Sequence, residues 1–146
     1  MNDEVNVTRK EAQYLAILYR QQIEEGNNIS TTILANTLNV KPATVTECFQ
    51  KLAEKRLVEY RPYYGVKLTN KGLVQAEQLL RKHRLLETLY VKLFSYSPAV
   101  ACQEASRIDY YCSDAITDSI CTKYDHPIEC PCHKTIFHNP SCGNEK

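Results

Sequence analysis

Glycine is scarce in this chain, with four in 146 residues, and there is no tryptophan and a single methionine. So few glycines leave little room for a phosphate-cradling loop, which needs several where the backbone approaches its ligand. No apolar run reaches the roughly eighteen residues that a helix needs to cross a bilayer, so no membrane partner is expected. The opening residues, MNDEVNVTRKEAQ, mix charges of both signs and have no apolar stretch of the kind a secretory signal requires. A reducing, cytoplasmic location is the expectation. Neither a nucleophile–base pair nor paired carboxylates stand out, so the residues do not read as those of an enzyme.

Cysteine is what the chain has in quantity. There are seven, and an odd number without a secretory signal argues for ligands or redox sensors rather than a disulfide framework. Six lie beyond residue 100: Cys102, Cys112, Cys121, Cys130, Cys132 and Cys142. Cys48 stands apart on the apolar face of an expected helix and reads as a small core hydrophobe. Charge is uneven too. Residues 41–84 hold ten Lys/Arg against four Asp/Glu, and residues 98–146 hold four against seven. A basic middle suggests a face for a polyanion.

Local signals punctuate the chain clearly up to about residue 124. Thr8 and Glu11 form a capping box, succeeded by Ala12, Leu15, Ala16, Leu18, Tyr19 and Ile23 at helical spacing. Gly26 ends that helix. Ser30 caps a short second helix with Ile33, Leu34 and Leu38 inward. Pro42 suits the first turn of a third helix running to about Lys55. Residues 57–69 read as a hairpin with a Pro- and Gly-containing tip. Thr69 and Asn70 cap a long helix to about Phe94, with Leu73, Val74, Leu79, Leu80, Leu85, Leu86, Leu89 and Leu93 apolar. Ser97-Pro98 opens a fifth helix to about Cys112, and Ser113 a sixth to about Tyr124. The tail beyond it has no clean period and carries three prolines, so it reads as irregular.

Helix, helix, turn, helix, hairpin is the order of a winged helix-turn-helix, whose recognition helix enters the major groove. The expected fold is mostly α: a winged helix-turn-helix DNA-binding domain (1–71), an all-α dimerisation domain (72–124) and a Cys/His-rich irregular tail (125–146). The stretch from Tyr14 to Gly72, which includes "NISTTILANTLNVKPATVTECFQKLAEKRLVEY", resembles the DNA-binding half of the diphtheria-toxin-repressor and manganese-transport-regulator family. "RKHRLLETLY" and "CQEASRIDYYCSDAI" resemble its dimerisation half, and "HPIECPC" the loop that closes that half. The resemblance implies a homodimeric transcription regulator acting on a pseudo-palindromic double-stranded operator, with Fe(II) or Mn(II) as effector. It places Lys41, Pro42, Ala43, Thr44 and Glu47 at the start and exposed face of the recognition helix. Thr46 and Lys51 would supply phosphate contacts and Arg61 would sit on the wing. Glu47 is unusual on a groove face unless it accepts from cytosine or pairs with Lys51 one turn on.

The resemblance also marks a departure. Gln13, Ala16, Ser106, Asp109 and Tyr110 occupy the places of the family's main metal site. Most of these do not supply the carboxylate and imidazole set that a hard divalent ion wants, so the usual Mn(II)/Fe(II) site is expected to be non-functional. A second family site falls on His83, Glu87 and Cys102. His83 and Glu87 share a helix face, either as ligands or as an ordinary exposed pair among Arg81, Lys82 and Arg84. The tail cysteines lack apolar neighbours and read as ligands that would order the tail. The expected soft site is Cys102, Cys130, Cys132 and Cys142, with His83, Glu87, Cys112, Cys121 and His133 in reserve. A [4Fe–4S] or other Fe–S cluster is the favoured occupant. Zinc is the alternative, for which His133 and His138 have suitable spacing, and a metal-free thiol redox switch is the third reading. Two rival functions remain: a DNA-binding regulator with purely structural zinc, and a winged-helix interaction partner in iron or Fe–S handling that binds no DNA.

Overall fold

The computed structural model describes residues 5–140 and Cys142, so the outermost parts of the expected first and third segments lie outside the described residues. The chain divides into two compact units, residues 1–77 and 78–146. The division falls inside the long helix rather than at residue 71, and the tail belongs to the second unit rather than forming a third.

In the first unit the capping box is made. Glu11 N donates to Thr8 Oγ1 at 3.2 Å, and Thr8 N donates to Glu11 Oε1 at 3.0 Å. Lys55 Nζ adds an ion pair to Glu11 at 2.6 Å. Helix α1 (Arg9–Tyr19) ends in a π-helical turn, Arg20–Glu24, that the residue pattern did not signal. Widening the helix there shifts the apolar stripe, and Ile23 is 53% exposed rather than inward. Helix α2 (Thr31–Leu38) is capped by Ser30 and closed by Asn39 in the left-handed region at φ 54°, a conformation that Asn tolerates. This short helix buries Leu34 and Ala35, which leaves Ile33 exposed. Helix α3 (Pro42–Glu54) starts on Pro42 and buries Val45, Cys48, Phe49 and Leu52. Phe49 meets Tyr14 edge-on, with ring centroids 6.3 Å apart, and Tyr60 at 5.5 Å. One aromatic thus ties α3 to α1 and to the hairpin.

The wing is strand β1 (Val58–Arg61) paired antiparallel with β2 (Gly65–Leu68), Val58 opposite Leu68 and Arg61 opposite Gly65. Thr69 links the wing to the long helix. Its hydroxyl donates to Arg56 O at 2.7 Å and accepts from Gly72 N at 3.1 Å, and α4 (Asn70–Phe94) begins there. Gly72 packs against the backbone entering β1, where a Cβ would collide with the carbonyl oxygen of Leu57. Val74, expected inward on α4, is half exposed.

The second unit comprises the later part of α4, then α5 (Pro98–Ile108), a 3₁₀ turn (Asp109–Tyr111) and α6 (Asp114–Lys123). Ser97 and Ser113 cap α5 and α6, each accepting from the amide three residues on. The tail folds into a small hairpin. Glu129 bridges to Thr135, Ile136 N donates to Ile128 O, and Cys130 N donates to Lys134 O, the last two at 2.9 Å. Leu85, Leu86, Ala105, Ile120 and Ile136 form one buried cluster with Cys121, Cys130 and Cys142. Among the described residues no helix is long and apolar enough to cross a membrane. Replacing Gly72 by Ala should lower the unfolding free energy by about 1–3 kcal/mol, the usual cost of overpacking, as read from urea denaturation. An unchanged midpoint would mean that the Leu57 carbonyl moves aside freely.

Candidate metal centre and nucleic-acid interface

The recognition face is open. Lys41, Pro42, Ala43, Glu47 and Lys51 are exposed, and Thr44 and Thr46 are half-buried beside them. Glu47 pairs with Lys51 at 3.4 Å across one helical turn. An exposed pair of this kind adds little stability. Arg61 is exposed at the end of β1, just before the wing tip. The tip itself presents Tyr63 and Tyr64, which are 106% and 90% exposed. Sequence reasoning passed over both. Their signal was two aromatics in a turn with no apolar partner, each with a hydroxyl able to reach phosphate.

The second unit gathers the metal-ligating side chains into two groups. The first is centred on His83 of α4. Its Nε2 lies 2.6 Å from Glu87 Oε1 and 3.4 Å from Cys102 Sγ of α5. Its Nδ1 lies 3.1 Å from Asp109 Oδ2, and Asp109 Oδ1 accepts from Tyr110 N at 2.6 Å. A carboxylate on the far nitrogen fixes the ring of a ligating histidine. Asp109 therefore has an orienting role that the sequence did not reveal. His83 and Glu87 are 3% and 2% exposed, so they are not an exposed helical pair. Ligand atoms of His83, Glu87 and Cys102 lie within 4.8 Å of one another. The thiols of Cys130 and Cys132 adjoin Glu87 as well.

Burial and charge are strongly coupled within this group. Burial works to lower the His83 pKa, but Asp109, Cys102 and Glu87 outweigh it and raise it to about 10. Burial would raise Glu87, yet hydrogen bonding and charge from His83 hold it below the usual carboxylate range. Cys132 is exposed, yet partial desolvation, followed by Glu87, Cys130 and Cys102, pushes its thiol up to about 11. Burial also raises Cys130. Acidic groups crowded in this way resist ionising together unless a positive charge is shared among them. Glu87 Oε2 is buried without a hydrogen-bond partner, the kind of orphan that a bound ion satisfies. Nitrogen, oxygen and sulfur donors therefore fit a thiophilic divalent metal.

The second group is Cys121, His126 and Cys142. The expected set of four cysteines is thus divided, with Cys142 standing with Cys121 and His126, and Cys102 with His83 and Glu87. Spacing along the chain did not reveal this division, because the tail's reversal decides which cysteines meet. Cys112 and His133 are in neither group. Burial raises the Cys112 thiol, and His133 is exposed beside Glu129 at 3.4 Å.

Two arginines hold the tail hairpin in place. Arg81 Nε donates to Phe137 O at 3.0 Å and Arg84 Nη1 to Thr135 O at 2.8 Å. Both are buried, at 5% and 1% exposure, so "RKHR" is an anchor for the Cys130–Cys132 turn rather than solvated charge.

The chain thus joins a winged helix to a helical unit that buries an imidazole–carboxylate–thiol group. The iron dependent repressor N-terminal DNA binding domain matches residues 6–66, and the iron dependent repressor metal binding and dimerisation domain matches residues 69–138. The chain belongs to this family, whose members are transcriptional repressors and not enzymes. An uncharacterised HTH-type transcriptional regulator of Methanocaldococcus jannaschii is 35% identical over 107 residues, covering 73% of this chain and 86% of that one. The manganese regulator SloR is similar with a TM-score of 0.77 at 30% identity, over 88% of this chain and 59% of that chain. ScaR with bound Zn2+ gives 0.73 at 32% identity over the same shares. The chain therefore spans less than two thirds of the length of these two solved chains.

Replacing Arg84 by Ala removes the donor to Thr135 and loosens the turn that carries Cys130 and Cys132. Trypsin should then cut after Lys134 faster than in the parent. Equal cleavage rates would show that Arg84 does not anchor the turn.

Proposed function

We propose that the chain is a homodimeric transcription regulator whose affinity for a pseudo-palindromic operator is set by a thiophilic divalent ion, Zn(II) or Fe(II), held by His83, Glu87 and Cys102 with Cys130 and Cys132. The observation that carries this reading is the buried Glu87 carboxylate, with one oxygen lacking a partner and with imidazole and thiols around it. A [4Fe–4S] cluster typically takes four cysteine thiolates. The donors around His83 are mixed, and Cys142 belongs to another group, so a single ion is the better reading than the cluster expected from composition. The absence of a carboxylate and imidazole set at Gln13, Ala16, Ser106 and Tyr110 argues against the family's usual Mn(II) chemistry.

When bound, the ion supplies the positive charge that lets the thiols ionise beside Glu87. The chain's own residues do the rest. Asp109 orients His83, while Arg81 and Arg84 hold the tail against α4. Helix α4 carries His83 and Glu87, and its first turns, with Gly72, belong to the DNA-binding unit. An effector shifts such an equilibrium only through its differential affinity for the two states. Leu93, Phe94, Tyr96 and Val100 are 41–56% exposed, and this apolar surface suits self-association.

The test is fluorescence anisotropy on a DNA duplex selected from a random pool by the zinc-loaded protein. Zinc should tighten binding by about tenfold or more, within the usual range of coupling between sites. Cys102→Ser and Glu87→Gln should each abolish that response. Lys51→Ala should weaken binding with and without zinc. A Cys102→Ser/Glu87→Gln protein that responds to zinc as the parent does would refute the assignment.

A further inference from the structure

Cys121, His126 and Cys142 take no part in the His83 centre, yet their placement is as specific. Cys121 lies in the last turn of α6. The chain then reverses through two consecutive residues in the left-handed region, Asp125 at φ 59° and His126 at φ 53°. Neither is glycine, but Asp and His enter this region more readily than most other residues. His126 N donates back to Cys121 O at 2.8 Å. The reversal brings His126 Nδ1 to 3.4 Å from Cys121 Sγ and 3.7 Å from Cys142 Sγ. In a tetrahedral zinc site, with Zn–S of about 2.3 Å and Zn–N of about 2.0–2.1 Å, adjacent sulfur and nitrogen ligands lie about 3.6 Å apart. Both observed separations fall close to that edge.

Cys142 shares the apolar cluster of Ile120 and Cys121, so it is not without apolar neighbours, but the described residues leading to it add little packing. Cys142 is 9% exposed, while its neighbours His138 and Pro140 are exposed and Asn139 is half-buried. Polar contacts bring this segment to α6: Asn139 Nδ2 donates to Asp118 Oδ1 at 3.2 Å, and Cys142 N donates to Asn139 O at 2.9 Å. Cys142 Sγ lies 3.6 Å from Asp118 O and 3.9 Å from Thr122 Oγ1. Asp118 Oδ1 is engaged by Arg81 at 3.0 Å as well as by Asn139.

We propose that Cys121, His126 and Cys142 form a second metal site, distinct from the His83 centre, that takes Zn(II) and staples the segment carrying Cys142 to α6. Binding converts two buried thiols into thiolates, releasing their protons, and fixes a segment that has little apolar surface of its own.

The test uses the full chain, purified under reductant and loaded with zinc alone, then passed over a chelating resin before metal analysis. A Cys121→Ser/Cys142→Ser protein and, separately, His126→Gln should each hold one zinc fewer per chain than the parent, whatever the His83 centre retains. His126→Gln changes a half-buried side chain and should keep the parent's circular dichroism, so that its loss of zinc reports ligation. With cobalt in place of zinc, the sulfur-to-metal charge-transfer absorption should fall in both variants. Unchanged zinc content in both would overturn the proposal. So would intact-mass analysis showing Cys121 and Cys142 joined as a disulfide in the protein prepared under reductant.

Discussion

The second unit is organised by a buried imidazole. His83 has a carboxylate on each side and a thiol beside Nε2. Charged groups are expensive to bury unless each finds a partner, and the surrounding structure supplies partners from every available element. Helix α4 gives Glu87 one turn away, α5 gives Cys102, and the 3₁₀ turn gives Asp109. Arg81 and Arg84, on the same stretch of α4, engage tail carbonyls and bring Cys130 and Cys132 to Glu87. Removing the imidazole would leave two buried carboxylates crowded together without their cation. The tail, the α5 terminus and the middle of α4 thus share one electrostatic condition.

Much of the fold was legible because capping chemistry is local. Thr8–Glu11, Ser30, Pro42, Ser97 and Ser113 each satisfy or excuse amides within three residues, so sequence neighbours are enough to read them. Apolar periodicity succeeded where helices are regular and failed where they are not. Ile23 turned outward because a π-helical turn interrupts α1's stripe. Ile33 turned outward because a two-turn helix has room for only one narrow buried face. The long helix read well at its ends, but "RKHR" was misleading. Four consecutive basic or imidazole side chains look solvated in one dimension, and only the returning tail shows that two of them are structural.

The candidate site was half legible. Spacing put His83 and Glu87 on one face, and composition pointed to soft chemistry near the end of the chain. Which cysteines meet was not legible, because it depends on left-handed residues at Asp125, His126 and His133, none of which is a glycine that would advertise a turn. The same reversals brought His126 to Cys121 and separated Cys142 from Cys102. The wing-tip tyrosines were overlooked although the hairpin tip itself was read, because phosphate contacts were expected from charged side chains and threonines.

Everything proposed for regulation turns on the centre at His83 binding metal through sulfur as well as nitrogen and oxygen. X-ray absorption on zinc-loaded Cys121→Ser/Cys142→Ser protein isolates that centre from the other thiol group. A mixed shell is expected, with sulfur at about 2.3 Å and lighter nitrogen or oxygen scatterers at about 2.0–2.2 Å. A shell of nitrogen and oxygen alone would refute sulfur ligation at His83.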